Sequence, residues 1–531
     1  MPPAANLVLA LLAGLPILAL LAVALTGSPS GGFGATILPA ALRETGSLLL
    51  LVGIATSLMG LVAAWLVSNF EFPLRRVFEW AFILPLAIPT YLSAYAWVEF
   101  MSFTGPVQEM VRAATGAQTL RDYWFPDIRN VPGAAFVMSL VLYPYVYLSC
   151  RAFFLMQSGT VTAASRALGA SGSRTFFAVI LPLARPAVIV GATLAMMEVV
   201  NDLGAVEFFG VKSLTAVIYA TWINRADLPG AAQMALTLVL VIGVLIWLEQ
   251  HARRRRGYLM PRDSRTPPPR TPLSGGRAAL AVLFSVLVIG LGFAVPFGEL
   301  MSTAFGRFVR GSVPEGVWAA LIQTVWLALA GALVCVMLGY FTARRARSGG
   351  APLIRLAVLG YAVPGTVLAL GLALPLGVMD GWLNDASRAL WGGSVGLVLS
   401  GSVFALIYAY AVRFLAVSHN GLDSALKKRG DSIIDAGKVL GASRAQIFFR
   451  VELPTLRPAL AAAGVLVFVE CIKELPATLL LRPLGVETLA TYVYSQASAE
   501  LFEAAAVPAV LIVMVGLVPV LLAGRLQASS R

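Results

Sequence analysis

The sequence predicts an all-α polytopic membrane protein of about twelve transmembrane helices in two parallel six-helix repeats. Three observations carry this. The 531 residues are 59% apolar and only 12% charged, with a mean hydropathy of +0.83, about half the charge density of a soluble domain. The apolar residues gather into runs of about 20, the length that crosses a bilayer. One half of the chain also repeats the other at a fixed offset. Together these exclude a cytosolic enzyme, a disordered chain and a secreted disulfide scaffold.

The runs fall near residues 6–26, 47–68, 80–101, 133–155, 187–206 and 231–249, then near 278–301, 318–341, 353–378, 393–416, 459–481 and 504–524. No Lys or Arg precedes Arg43, so the first run lacks the basic flank of a cleaved leader and is expected to stay. Most of the 39 Lys and Arg lie in segments on the N-terminal side of the membrane. That places both termini in the cytoplasm by the positive-inside rule. The formal charge of +13 therefore reads as basic cytoplasmic loops, with no nucleic-acid partner. The largest group, Arg253 to Arg256 through Arg277, includes Pro267-Pro268-Pro269, which cannot continue a helix and reads as a stiff spacer. It divides the chain into a first repeat (1–250), a basic, Pro-rich cytoplasmic linker (251–277) and a second repeat (278–531).

Residues 162–186 read TAASRALGASGSRTFFAVILPLARP and 434–458 read IDAGKVLGASRAQIFFRVELPTLRP. At an offset of 272, 12 of these 25 positions are identical without a gap. The offset carries Glu198 onto Glu470, Asp202 onto Glu474 and Leu203 onto Leu475. Six spans per copy give both copies the same orientation, so the repeats are parallel and a translocation path is expected where they meet.

Each repeated stretch is a cytoplasmic loop between the fourth and fifth span of its half. A short helix runs into Gly169 or Gly441, residues able to take the positive φ of a tight turn. A second stretch carries Phe176-Phe177 or Phe448-Phe449 and is expected to stop at Leu181-Pro182 or Leu453-Pro454, where the ring disfavours helix at the residue before it. Such a bent, partly apolar helix pair suits either a protein partner or the lipid headgroups.

These loops resemble the EAA loops of binding-protein-dependent ABC importer permeases, in which an acid, two small residues and a glycine precede an apolar stretch and Leu-Pro. The resemblance covers nearly the whole chain. It is closest to fused, two-lobed ferric-iron permeases through YAVPGTVLALG (361–371), KELPATLLLRPLG (473–485), LYPYVYLSCRAFF (142–154) and MEVVNDLGAVEFFGV (197–211). It implies the fold of a type I ABC importer permease and a coupling role for Ala164, Gly169, Phe176, Phe177 and Pro182 in the first loop. In the second loop it implies the same for Asp435, Ala436, Gly441, Phe448, Phe449 and Pro454. Asp435-Ala436-Gly437 approximates the acidic opening of the motif, whereas Ala163-Ala164-Ser165 has no acid, a departure that points to two unlike docking sites.

Acidic residues inside the apolar runs are the other candidates. Glu198 and Asp202 are four apart, as are Glu470 and Glu474, with Lys473 between; on one helix each pair shares a face. Ionised groups at that depth cost a few kcal/mol, so they face the bundle interior or a wet cavity. One reading has them line the path of a cation. The other makes them structural locks between helices. Tyr143, Tyr145, Tyr147, Tyr408 and Tyr410 are expected to pack and hydrogen-bond. Pro85, Pro89, Pro364 and Pro375 are expected to break their helices. His251 and His419 are expected to be solvated. Cys150, Cys335 and Cys471 have no spacing for a metal site.

No GxxxxGK[ST] occurs in the chain, so it carries no P-loop. The resemblance implies a non-enzymatic permease of the bacterial inner membrane that binds no cofactor itself. It further implies two copies of an ABC ATPase carrying ATP, a periplasmic or lipid-anchored binding protein, and ferric iron as substrate. Thiamine, polyamine and phosphonate permeases are neighbours in the family. The competing class is a proton-coupled secondary transporter using Glu198, Asp202, Glu470 and Glu474. On the coupling reading, Gly441→Val distorts the loop turn and uncouples the ATPase without affecting insertion. Unchanged uptake with the ATPase still copurifying would count against that role.

Overall fold

A computed structural model describes residues 4–27, 33–156, 165, 167–256, 270–312, 314, 316–347, 351–429 and 439–529. The first half contains α1 (Ala4–Thr26), α2 (Phe33–Asn69), strand β1 (Phe70–Glu71), α3 (Arg75–Ala81), α4 (Thr90–Phe100), α5 (Pro106–Thr115), α6 (Val131–Met156), α7 (Leu181–Asn201), α8 (Leu203–Phe208), α9 (Leu214–Ile223) and α10 (Leu228–Arg256). After strand β2 (Thr271–Pro272) come α11 (Gly275–Ile289), α12 (Val295–Val309), α13 (Gly316–Arg345), α14 (Ala351–Val358), α15 (Gly365–Trp391), α16 (Val403–Arg429), α17 (Leu453–Lys473), α18 (Pro476–Leu481), α19 (Leu489–Ser498) and α20 (Phe502–Ser529).

Among the described residues ten helices are long and apolar enough to cross a membrane, and eleven if one bent pair counts as a span. The remaining expected span falls on α1, whose described side chains begin at Leu11. The third span is that bent pair: Arg75–Ala87 and Thr90–Phe100 meet at 91° around Pro89, which caps α4 in an extended conformation. The fifth and eleventh spans end at Asn201 and Lys473, short of their expected ends. The tenth starts at Val403, about ten residues late, because the preceding chain is folded back. The buried Asp380 carboxylate accepts from Leu399 N at 2.7 Å and Ser400 N at 2.8 Å. Pro364 does cap α15, but Pro375 lies inside it without a break.

The Leu-Pro expectation is overturned as well. Leu181-Pro182 and Leu453-Pro454 do not end a helix; they open α7 and α17, directly after π turns at Phe176–Ile180 and Phe448–Glu452. A third π turn, Gly290–Ala294, stands just before Val295-Pro296. The extra residue of a π turn displaces the carbonyl that a proline ring would otherwise strike, so the helix passes through.

The chain divides into two compact units: residues 1–31, 218–236 and 313–495, and residues 32–217, 237–312 and 496–531. In the first, α13, α16 and α17 pack pairwise, and α1 lies against α14 and α15. Gly371 permits that approach, since a side chain there would meet the Pro16 backbone. In the second unit, α2, α6 and α7 form the matching trio, α4 packs on α6 and α8, and α12 packs on α4 and α20. Its core includes Phe82, Tyr143, Val146 and Tyr147. β1 and β2 pair in parallel through Phe70 and Thr271.

Helices this close need small residues at the crossing. A Cβ on Gly60 of α2 would lie 2.6 Å from Val146 Cβ and 2.8 Å from the Tyr143 carbonyl of α6. Gly60→Val should therefore destabilise the protein by about 1–3 kcal/mol through overpacking, read as a lowered Tm in detergent. An unchanged Tm would mean that α6 can move aside.

Candidate functional site

The two duplicated loops are built alike from the glycine onward. Gly169 and Gly441 have φ of 78° and 73°, a region that favours glycine. Beyond them Ser171 and Ser443 open the next turn, accepting N–H groups from Arg174 at 3.3 Å and Gln446 at 3.2 Å. Gln446 Oε1 accepts from Ser443 N at 2.8 Å in return, completing a capping box that Arg174 cannot make. Ala164, Asp435 and Ala436 lie outside the described residues.

The paired phenylalanines have opposite surroundings. Phe176 turns inward onto Trp65 of α2 at 5.0 Å between ring centroids, while Phe177 is 67% exposed. Phe448 packs on Tyr340 of α13 at 5.7 Å, and Phe449 is 65% exposed. Leu168 and Leu440, 88% and 86% exposed, join Phe177 and Phe449 as bare apolar side chains on each loop. These leucines are absent from the residues expected on the sequence, although they are an identical pair at the 272 offset. The loops differ one turn further on. Ile180 is buried in the first, and its counterpart Glu452, also buried, pairs with Arg344 at 3.0 Å in the second.

The intramembrane acids separate into two kinds. Glu198 and Glu470 lie within α7 and α17 and are half-buried, Glu198 accepting from the Tyr145 hydroxyl at 3.4 Å. Asp202 and Glu474 are not on those helices, so the expected shared faces do not form. Each instead follows the helix end and caps the short helix after it: Asp202 Oδ1 accepts from Ala205 N at 2.8 Å and Glu474 Oε1 from Ala477 N at 2.9 Å. Capping satisfies N–H groups that lipid would leave bare. Asp202 also accepts from the Thr90 hydroxyl, and Glu474 pairs with Arg413 at 3.2 Å. Lys473 is the half-buried last residue of α17. Arg413 has no charged counterpart in the repeat, so the repeat gives no signal for it.

Four of the five tyrosine hydroxyls make internal bonds: Tyr145 to Glu198 as above, Tyr147 to the Glu79 carbonyl at 2.5 Å, Tyr408 to the Leu12 carbonyl at 2.6 Å and Tyr410 with Thr478 at 2.7 Å. Tyr143 packs in the core, but its buried hydroxyl has no hydrogen-bond partner among the described residues, against expectation. His251 is exposed, but His419 is buried and its Nδ1 lies 3.0 Å from Thr342 Oγ1; solvation was the wrong expectation for it. Among the described residues no group of three or more His, Cys, Asp or Glu is placed to hold a metal ion.

A duplicated bundle of long apolar helices, with broken spans and two matching loops, defines a multi-pass membrane permease. Residues 56–257 and 335–530 each match the family of binding-protein-dependent transport system inner membrane components, and the chain belongs to that family, with the domain present twice. It is thus a fused permease of the ABC importer type. It is 27% identical over 497 residues to the Fe(3+)-transport system permease protein FbpB 2 of Haemophilus influenzae, covering 91% of this chain and 88% of that protein. The molybdenum transport system permease protein ModB of Escherichia coli K12 is 29% identical over 37% of this chain and 87% of its own length. The spermidine/putrescine permease PotB of the same strain is 24% identical over 39% and 74%.

The inward and outward phenylalanines should separate in mutagenesis. Phe176→Ala should cost about 1–2 kcal/mol from lost burial and ring contact, whereas Phe177→Ser should stay within about 0.5 kcal/mol. Thermal unfolding of the two variants in detergent checks this, and equal losses would refute the assignment.

Proposed function

We propose that this chain is the membrane-spanning subunit of an ATP-driven importer of ferric iron in the bacterial inner membrane, with both termini in the cytoplasm. The observation that carries the iron assignment is the likeness to an Fe(3+) permease along nine-tenths of both chains, whereas the molybdenum and spermidine permeases align with less than half of this one. A binding protein, periplasmic or lipid-anchored, delivers the ion to the outer face. Two copies of an ABC ATPase dock on the duplicated loops through Leu168 with Phe177 and Leu440 with Phe449, whose exposed apolar surface suits a partner's groove. Gly169 and Gly441 set the turn that presents them. Pro182 and Pro454 join the loops to α7 and α17, so closure of the ATPases moves α7 and α17 and switches access.

Glu198 and Glu470 line the pathway on this reading. Half-burial keeps them reachable, and hard carboxylate oxygens suit a small, highly charged cation. Asp202 and Glu474 act behind them as caps, and Lys473 tempers the charge beside Glu470.

The test is radiolabelled ferric-iron uptake in iron-starved cells with and without this gene, competed by thiamine, spermidine, phosphonate, molybdate and sulfate. Loss of uptake on deletion, restored by the gene and abolished by ATPase inactivation, is the expected result. Loss of a different solute's uptake overturns the iron assignment. Uptake that ignores ATPase inactivation and collapses with the proton gradient favours the secondary-transporter alternative. A stably inserted Glu198→Gln/Glu470→Gln variant should lose most iron uptake, and normal uptake would sink the pathway role.

A further inference from the structure

The long helices α2 and α13 match at an offset of 279, which carries Glu44, Thr45, Gly60 and Trp65 onto Gln323, Thr324, Gly339 and Arg344. Each helix is fastened twice. At one end, two adjacent side chains accept backbone N–H groups from the stretch that follows the broken fifth span of the same half. Glu44 Oε2 takes Lys212 N at 2.6 Å and Thr45 Oγ1 takes Leu214 N at 2.9 Å. In the second half, Gln323 Oε1 takes Glu487 N at 2.5 Å and Thr324 Oγ1 takes Leu489 N at 2.7 Å.

At the other end, about 20 residues on, the helix grips the duplicated loop. At 1.5 Å per residue the two joints stand about 30 Å apart, the thickness of the hydrocarbon core. The equivalent positions 65 and 344 make this joint by different chemistry. Trp65 packs on Phe176 and also on Phe154 at 5.4 Å. Arg344 Nη1 reaches Glu452 Oε2 at 3.0 Å and the Tyr340 hydroxyl at 2.9 Å, while Tyr340 carries Phe448. Glu452 is 1% exposed, and a carboxylate so buried holds its cation in one geometry. The first loop carries its own brace in place of this, a hydrogen bond between Ser165 and Thr175 at 2.9 Å.

We propose that α2 and α13 are struts, each tying its duplicated loop to the chain after the broken span, so that a displaced loop moves the far side of the membrane. The inference rests on the reading of the loops as ATPase docking sites. A hydrogen-bonded helix does not stretch, so a joint lost at either end disconnects loop from far side without unmaking the docking face. Gln323, Thr324, Arg344 and Glu452 are positioning residues, and among the described residues only the second strut depends on charge at its loop end.

The test uses the full chain with its ATPase and binding protein in proteoliposomes, and reads the ratio of substrate moved to ATP hydrolysed. Gln323→Leu/Thr324→Val and Glu452→Gln should each lower that ratio about tenfold while the ATPase still copurifies. The swap Arg344→Glu/Glu452→Arg should restore most of the Glu452→Gln loss. Hydrogen exchange on the chain alone should show the Glu487 and Leu489 amides opening about tenfold faster in Gln323→Leu/Thr324→Val. Glu452→Gln should loosen residues 444–452 and leave 172–180 unchanged. An unaltered transport ratio in a variant whose amides do open overturns the strut. A swap no better than Glu452→Gln overturns the ionic joint. If the wild-type chain captures no ATPase, the docking reading fails, while the exchange experiment still decides whether the joints exist.

Discussion

Backbone polar groups in a hydrocarbon environment must find partners within the protein, and the breaks in the fifth and eleventh spans exist only because this demand is met. Each helix stops, a carboxylate takes an N–H from the first turn of the next short helix, and a second group holds the carboxylate. Thr90, the first residue of α4 after its own proline break, does this for Asp202. Arg413 does it for Glu474. Gly365 stands where a side chain would collide with both Arg413 and Glu474. The two solutions have the same geometry with different chemistry: a threonine hydroxyl in one half, and an arginine admitted by a glycine in the other.

Much of this was legible beforehand. Apolar run length located most spans, and the 272 offset exposed the duplication, the loops and their glycine turns. What escaped were places where a local rule met a tertiary partner. Leu-Pro reads as a helix stop, yet a π turn ahead of each proline lets α7 and α17 run through. Four-residue spacing reads as one helix face, yet Asp202 and Glu474 left their helices to cap new ones. The tenth span was displaced by the grip of Asp380 on Leu399 and Ser400, a contact 20 residues distant that no periodicity encodes. Arg413 and Arg344 were invisible to the repeat because their counterparts are not charged.

The two halves have kept their backbone plan while exchanging its fastenings. Ile180 faces Glu452 across the duplication, Thr175 faces Ile447, and Trp65 faces Arg344. In each case a hydrophobic contact in one half stands where a polar one is found in the other.

The make-up of the compact units also bears on how the protein is made. α1 belongs with α14 and α15, and α20 with residues 32–217. At about 5–20 residues per second, the ribosome delivers α14 tens of seconds after α1. The contacts of α1 with α14 and α15 therefore form late, and the other unit joins α2 to α20, about 430 residues apart. Assembly of each unit is a late, long-range event. Quality control acting on lingering half-packed helices would see this protein at its most vulnerable during synthesis.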